Sequence, residues 1–193
     1  MTGPLPIDRT ELFEDQKRFV DEYEAAKRRV RDSYGRLSPE QIRQRTSDKS
    51  WCVAECLEHL VITARLYMAV LDNAIPESRV RSYIKRPPYK YGRLTQWFIR
   101  KAGEYPVKLK AKTPRKFNPG SYSQLDDPIK AFCEKQDEMI KRVHESNGLD
   151  LGRLKSASPI TPLIRFSIGQ IFQLVLSHQN RHLWQADQAV KSL

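Results

Sequence analysis

The sequence predicts an all-α protein: a four-helix bundle with a long, basic crossover segment between the second and third long helices. Three observations carry that expectation. Four stretches repeat apolar residues at helical spacing over many turns, and none shows the sustained alternation of a half-buried strand. The composition, 39% hydrophobic and 30% charged with only 8 glycines, is that of a helix-rich globular chain rather than a disordered or fibrous one. The 193 residues suffice for one domain over 1–193 with a sizeable core, and neither a repeat nor a linker argues for two.

The first helix is expected from Ile7 to Tyr34, where Leu12, Phe19, Tyr23, Ala26 and Val30 fall near one face and Gly35 supplies a stop. In the connection "LSPEQIRQRTSDKS", Ser38 before Pro39 and Glu40 can open a short extra turn. "WCVAECLEHLVITARLYMAVLDNAIP" is apolar around most of its circumference, so it should be the most buried helix, ending before Pro76. From Glu77 to Tyr122 five prolines interrupt the pattern, and only "RLTQWFIRKAG", closed by Gly103, reads as a short helix. The third long helix should take Asp127 as N-cap with Pro128 at its first position, and continue through Phe132, Met139 and Ile140 to Gly148. "GLDLGRLKSASPITPLIRF" is expected to be a plain connection. The last helix runs from about Ser167 to Val190, with Ile171, Val175, His178, His182, Gln185 and Ala189 along a buried seam.

Net charge is +11, but its distribution matters more than its sum. Arg79 to Phe117 holds 13 Lys or Arg against the lone acid Glu104, and the remaining 21 bases and 22 acids nearly cancel. Bases interleave there with Tyr83, Tyr89, Tyr91, Trp97, Phe98, Tyr105 and Phe117, a mixture that can contact phosphates and stack on bases, attract a small anion, or rest on an anionic membrane. Apolar runs such as "LVITA" are broken by charge far short of a membrane span, so no transmembrane helix is expected. The N-terminus lacks a basic head followed by an apolar stretch, which makes a cytoplasmic location the default. Cys52, Cys56 and Cys133 lack the spacing of a disulfide framework or zinc ribbon and should be reduced.

Of the chain's 4 histidines, His178 and His182 lie one turn apart in "LSHQNRHLWQ", on one helix face. His59, in "ECLEHLVI", sits at the edge of the stripe formed by Cys52, Cys56 and Thr63 and can point inward. An unpartnered imidazole in a bundle core costs about 1–3 kcal/mol, so three need a reason to be there. Together they could give a divalent ion three nitrogens and leave positions open for water or substrate. His144, near the end of the third helix, suits the surface instead. A di-iron site would need Glu three residues before its histidines, where this chain has Cys56, Lys141, Val175 and Gln179. A zinc protease would need Glu where "HQNRH" has Gln179.

With those residues laid out, the chain resembles the DinB-like (DinB/YfiT) superfamily of metal-dependent enzymes. "KSWCVAECLEHL" is similar to that family's W-S-x-x-E-x-x-x-H-L start of its second helix, and "IGQIFQLVLSHQNRHLWQ" to its closing helix with H-x3-H followed by Gln. The resemblance implies a four-helix bundle holding a metal, often nickel or zinc, on His59, His178 and His182. Some members are transferases or isomerases that use a low-molecular-weight thiol, bacillithiol or mycothiol. Two departures stand out: Cys52 occupies the usual Ser position, a weaker cap acceptor, and the basic insert from Arg79 to Phe117 is not carried over from the family, which leaves the substrate class open.

An ion on the three histidines would polarise a carbonyl or lower the pKa of a bound water or thiol, which serves hydrolysis or thiol transfer on a small-molecule substrate. Glu55 is the weak candidate for a base, although a helix cap is its commoner role; Glu134 and Asp137 lie on the third helix with unknown facing. Gln185, one turn past His182, could orient a ligand. The alternative is a non-catalytic module that uses residues 79–117 to bind nucleic acid or another anionic partner, and either is compatible with a homodimer.

Overall fold

The computed structural model describes residues 12–47, 50–106, 113–121 and 125–192. Helix α1 spans Glu14–Tyr34, α2 Pro39–Arg43, α3 Val53–Val80, α4 Arg93–Ala102, α5 Pro128–Glu145 and α6 Ile168–Val190. Strands β1 (Lys155–Ala157) and β2 (Arg165–Ser167) form one antiparallel pair, with Ser156 opposite Phe166. The long helices α1, α3, α5 and α6 form the bundle, with α3 packed on α5 and α6, α1 on α5 and α6, and α4 laid along α6. No described helix is long and apolar enough to cross a membrane.

Local chemistry explains the helix ends. The Asp127 carboxylate accepts from the Lys130 N–H at 2.9 Å with Pro128 at the first helical position, as expected. The Ser38 hydroxyl accepts from Gln41 N–H, and the Gln41 amide oxygen accepts from Ser38 N–H at 2.9 Å, a reciprocal cap that lets five residues form α2. Helix α5 stops at Glu145, before the expected Gly148, which instead takes the left-handed φ of 79° that a residue with a Cβ adopts reluctantly. Helix α1 begins at Glu14; of its expected start, Ile7 to Glu11 lie outside the described residues and Leu12 and Phe13 precede the helix.

Two expectations are corrected. Helix α3 does not end before Pro76 but continues to Val80. Proline removes one hydrogen bond and crowds the preceding turn, yet Ala74, Ile75 and Ser78 are buried, so packing of that last turn outweighs the loss. The segment after α5 is not a plain connection but contains the β1–β2 pair. Its strands are three residues each, too short for alternation to be read, and Phe166 is held by burial against Tyr67 and Phe98.

The core has two parts. One gathers Tyr67, Leu71, Met139, Phe166 and Phe172; the other gathers Val30, Tyr34, Leu57, Phe132 and Leu183. On α6 the first ends at Leu176 and the second starts at Leu183, and on α5 the break falls between Cys133 and Met139. The buried polar residues Gln136, Gln179 and His182 occupy that gap, with His59 and Thr63 facing it from α3. Helices α3, α5 and α6 thus carry a polar layer across an otherwise apolar interior.

The crossover from α3 to α5 is more than a solvated flank. Tyr89, Ile99 and Phe117 are buried in the first part of the core. Its bases line the outside, where Arg93, Arg100 and Lys101 flank the exposed Leu94 and Trp97. Lys108, Lys110, Lys112 and Tyr122 of the insert lie outside the described residues.

Candidate metal centre

His59 comes from the second turn of α3, and His178 and His182 come from consecutive turns of α6, the helix against which α3 packs. One ring nitrogen from each lies within 4.8 Å of the others. Ring centroids stand 5.1 Å apart for His59 and His178, 4.5 Å for His59 and His182, and 4.5 Å for His178 and His182. His59 and His182 are buried and His178 is half-buried. The fourth histidine, His144, is exposed and apart from this cluster, as its sequence position implied.

Hydrogen bonds fix which nitrogen of two of the rings faces inward. His59 Nδ1 lies 2.6 Å from the Phe117 carbonyl, which can only accept, so Nδ1 carries the proton and Nε2 keeps its lone pair. His182 Nδ1 donates to Gln185 Oε1 at 3.1 Å with the same result. His178 turns its Nε2 toward the Nε2 of His59. The lone pair of His59 Nε2 accepts from His178 Nε2–H at 2.9 Å. Two nitrogens bound to one ion at roughly 2.1 Å each sit about 3 Å apart or more, so this spacing is close to that of two ligands of one cation, which would take the place of the shared proton. The donor set fits a divalent ion of the zinc or nickel kind, with carbonyl and amide partners on the far nitrogens as metal-bound histidines commonly have.

Electrostatics point the same way. Burial lowers the pKa of His59 to about 4 and that of His178 to about 3, each ring also feeling the positive charge of Arg181. His182 is driven well below the ordinary range by burial, by the other two rings and by Arg181. All three are neutral at pH 7, the state in which imidazole ligates metal.

The sequence candidates divide. Gln185 is at the cluster, hydrogen-bonded to His182. Glu55 is engaged elsewhere: it accepts from the Cys52 N–H at 3.1 Å and from Arg45 Nε at 2.8 Å. Burial raises its pKa, but the Arg45 and Cys52 bonds outweigh that and leave it below the usual range. Its carboxylate thus caps α3 where the Cys52 thiol makes no cap bond. Asp137 pairs with Lys27, and Glu134 faces solvent. All three cysteines are free and buried, with Cys56 pushed up mainly by burial, which suits small apolar packing groups.

Several residues of the site escaped the sequence reading. Trp51 covers two of the rings, at centroid distances of 5.0 Å to His59 and 5.7 Å to His182; its place in the quoted "KSWC" stretch was the one available hint. Phe117 and Ala102 act through main-chain groups, which carry no residue-type signature. Gly103 lets α4 reach α6: a Cβ there would stand 2.8 Å from Ser177 Cβ and 2.9 Å from Ser177 O. Both Ala102 and Phe117 belong to the basic insert, so that segment buttresses the histidines.

The chain matches the DinB superfamily over residues 22–186, a span that includes all three clustered histidines, and it belongs to that family. No curated protein and no solved structure matches it.

Proposed function

We propose that this DinB superfamily member binds one divalent metal ion through His59, His178 and His182 and uses it in a hydrolase or thiol-dependent transferase reaction on a small molecule. The observation that carries the reading is the convergence of three neutral imidazoles within 4.8 Å of one another, two of them with their outer nitrogens already hydrogen-bonded. A divalent ion there would supply Lewis acidity toward a carbonyl, water or thiol.

The protein's own groups have distinct roles in this reading. The Phe117 carbonyl and Gln185 hold two ligand rings, His59 and His182, in the tautomer that keeps the inner nitrogen unprotonated for metal. Trp51 covers two rings and limits water on that side. Glu55 is not assigned a proton-transfer role, because its carboxylate is committed to Arg45 and the α3 cap.

Elemental analysis of protein purified without a histidine tag tests the site. Close to one zinc or nickel per chain is expected, with loss of metal in His178→Ala and His182→Ala variants that keep wild-type helical circular dichroism. Full metal occupancy in both variants would falsify the assignment.

A further inference from the structure

We infer that Arg181 is an anchor for an oxyanion, a carboxylate or phosphate group carried by the small-molecule substrate, beside the metal. The inference rests on the three-histidine reading and extends it to the chemistry of the ligand.

The argument begins with position. Ser177, Arg181 and Trp184 follow one another at i, i+4 and i+7, so they share a face of α6. Ser177 lies directly beneath Gly103, and Trp184 stacks on Tyr105 with centroids 5.9 Å apart and planes 25° from parallel. Arg181, between these two contacts, therefore lies under the turn that leaves α4. His178 and His182 each follow one residue after Ser177 and Arg181, which puts the two ligands on the adjoining stripe. The guanidinium is close enough for its charge to bear on all three imidazoles.

Its environment is unsatisfied. Arg181 Nε is buried and has no hydrogen-bond partner among the described residues. Burial works against its charge, and Glu104 on the overlying turn is the acid that offsets this, although Glu104 also pairs with Lys101 at 2.9 Å. Three imidazoles contribute no negative charge. A divalent ion on them would leave a doubly charged centre next to an arginine, an arrangement that an anion joining it would stabilise. The planar guanidinium fork matches the paired oxygens of a carboxylate or phosphate. A neutral substrate would leave Glu104, shared with Lys101, as the acid facing these cations, whereas one with an oxyanion near its reacting atoms would be held by Arg181 with those atoms turned to the metal.

The test uses full-length protein loaded with Co²⁺, its metal content measured separately, and titrated with sodium acetate, inorganic phosphate and the uncharged methyl acetate. Binding is read from the visible absorption of the cobalt. Acetate or phosphate should perturb the spectrum of the wild type while methyl acetate does not, and the tighter of the two anions identifies the substrate's charged group. Arg181→Gln should retain cobalt and bind the preferred anion at least tenfold more weakly, with Arg181→Lys intermediate because it keeps the charge and loses the fork. Glu104→Gln, which leaves Arg181 in place, should tighten binding severalfold by removing the competing carboxylate. Cobalt-loaded Arg181→Gln with wild-type anion affinity, or Glu104→Gln with no gain, overturns the role of Arg181 alone. Failure of the wild type to hold cobalt overturns the metal reading and this inference with it.

Discussion

The three imidazoles set the pH behaviour of the metal-free protein. Burial lowers His59 to about 4 and His178 to about 3 from an ordinary 6.5, and with the neighbouring rings it holds His182 well below 6.5 too. A depressed histidine is neutral when folded and takes up a proton on unfolding, so the unfolded chain binds more protons as pH falls below 6.5. Stability is therefore complete above that value and declines between about 6.5 and about 3, by up to roughly 1.4 kcal/mol per pH unit for each ring. Glu58, raised mainly by burial, acts in the opposite sense at the acidic end of the window. Urea unfolding of metal-stripped protein should show at least about 2 kcal/mol lower stability at pH 5 than at pH 7. Equal values at the two pH values would mean that the rings are solvated rather than buried. The histidine spacing was visible in the sequence, whereas the hydrogen bond from His59 to the Phe117 carbonyl was not, because it joins residues 58 positions apart.

At the scale of elements, the docking of α4 on α6 connects the basic insert to the candidate centre. Gly103 is where the two backbones come closest. Gly103→Ala should force Ser177 and the end of α4 apart, costing about 1–3 kcal/mol of stability as overpacking does. Because Ser177 immediately precedes the ligand His178, the variant should also release metal to a chelator several times faster than wild type. A fall in stability with unchanged metal release would separate α4 docking from the centre. The helices were legible because each buries an apolar face. The course of α3 past Pro76 was not, since a local breaker was outweighed by burial of Ala74, Ile75 and Ser78. The β1–β2 pair escaped for a different reason: its pairing joins residues on either side of a turn, and neither strand is long enough to show a period.

For the whole molecule, the polar layer lies between two apolar regions to which α1, α3, α5 and α6 all contribute. An ion held there binds only the folded chain and so stabilises it by mass action, about 2.7 kcal/mol when free metal is a hundred times its dissociation constant. At roughly 2–4 °C per kcal/mol for a domain of this size, zinc or nickel should raise the melting temperature by about 5–10 °C, and a chelator should reverse the gain. A shift that persists in a His59→Ala variant would place the stabilising ion elsewhere. The expectation of a charged insert also changes at this scale. Burial of Tyr89 and Phe117 removes two of the aromatic rings counted as stacking surfaces for nucleic acid, and Trp97 and Tyr105 remain exposed.

The sequence by itself determined the helical class, the order and approximate limits of the four long helices, and the two segments that carry the three histidines, because periodicity, caps and H-x3-H spacing are local properties. Only the tertiary structure decided that α3 and α6 bring these rings together, that Glu55 turns to Arg45, and that the insert supplies a carbonyl to His59 and a glycine contact beside His178. Those outcomes depend on contacts between segments distant along the chain and on main-chain atoms that every residue possesses, and neither leaves a mark in the order of side chains.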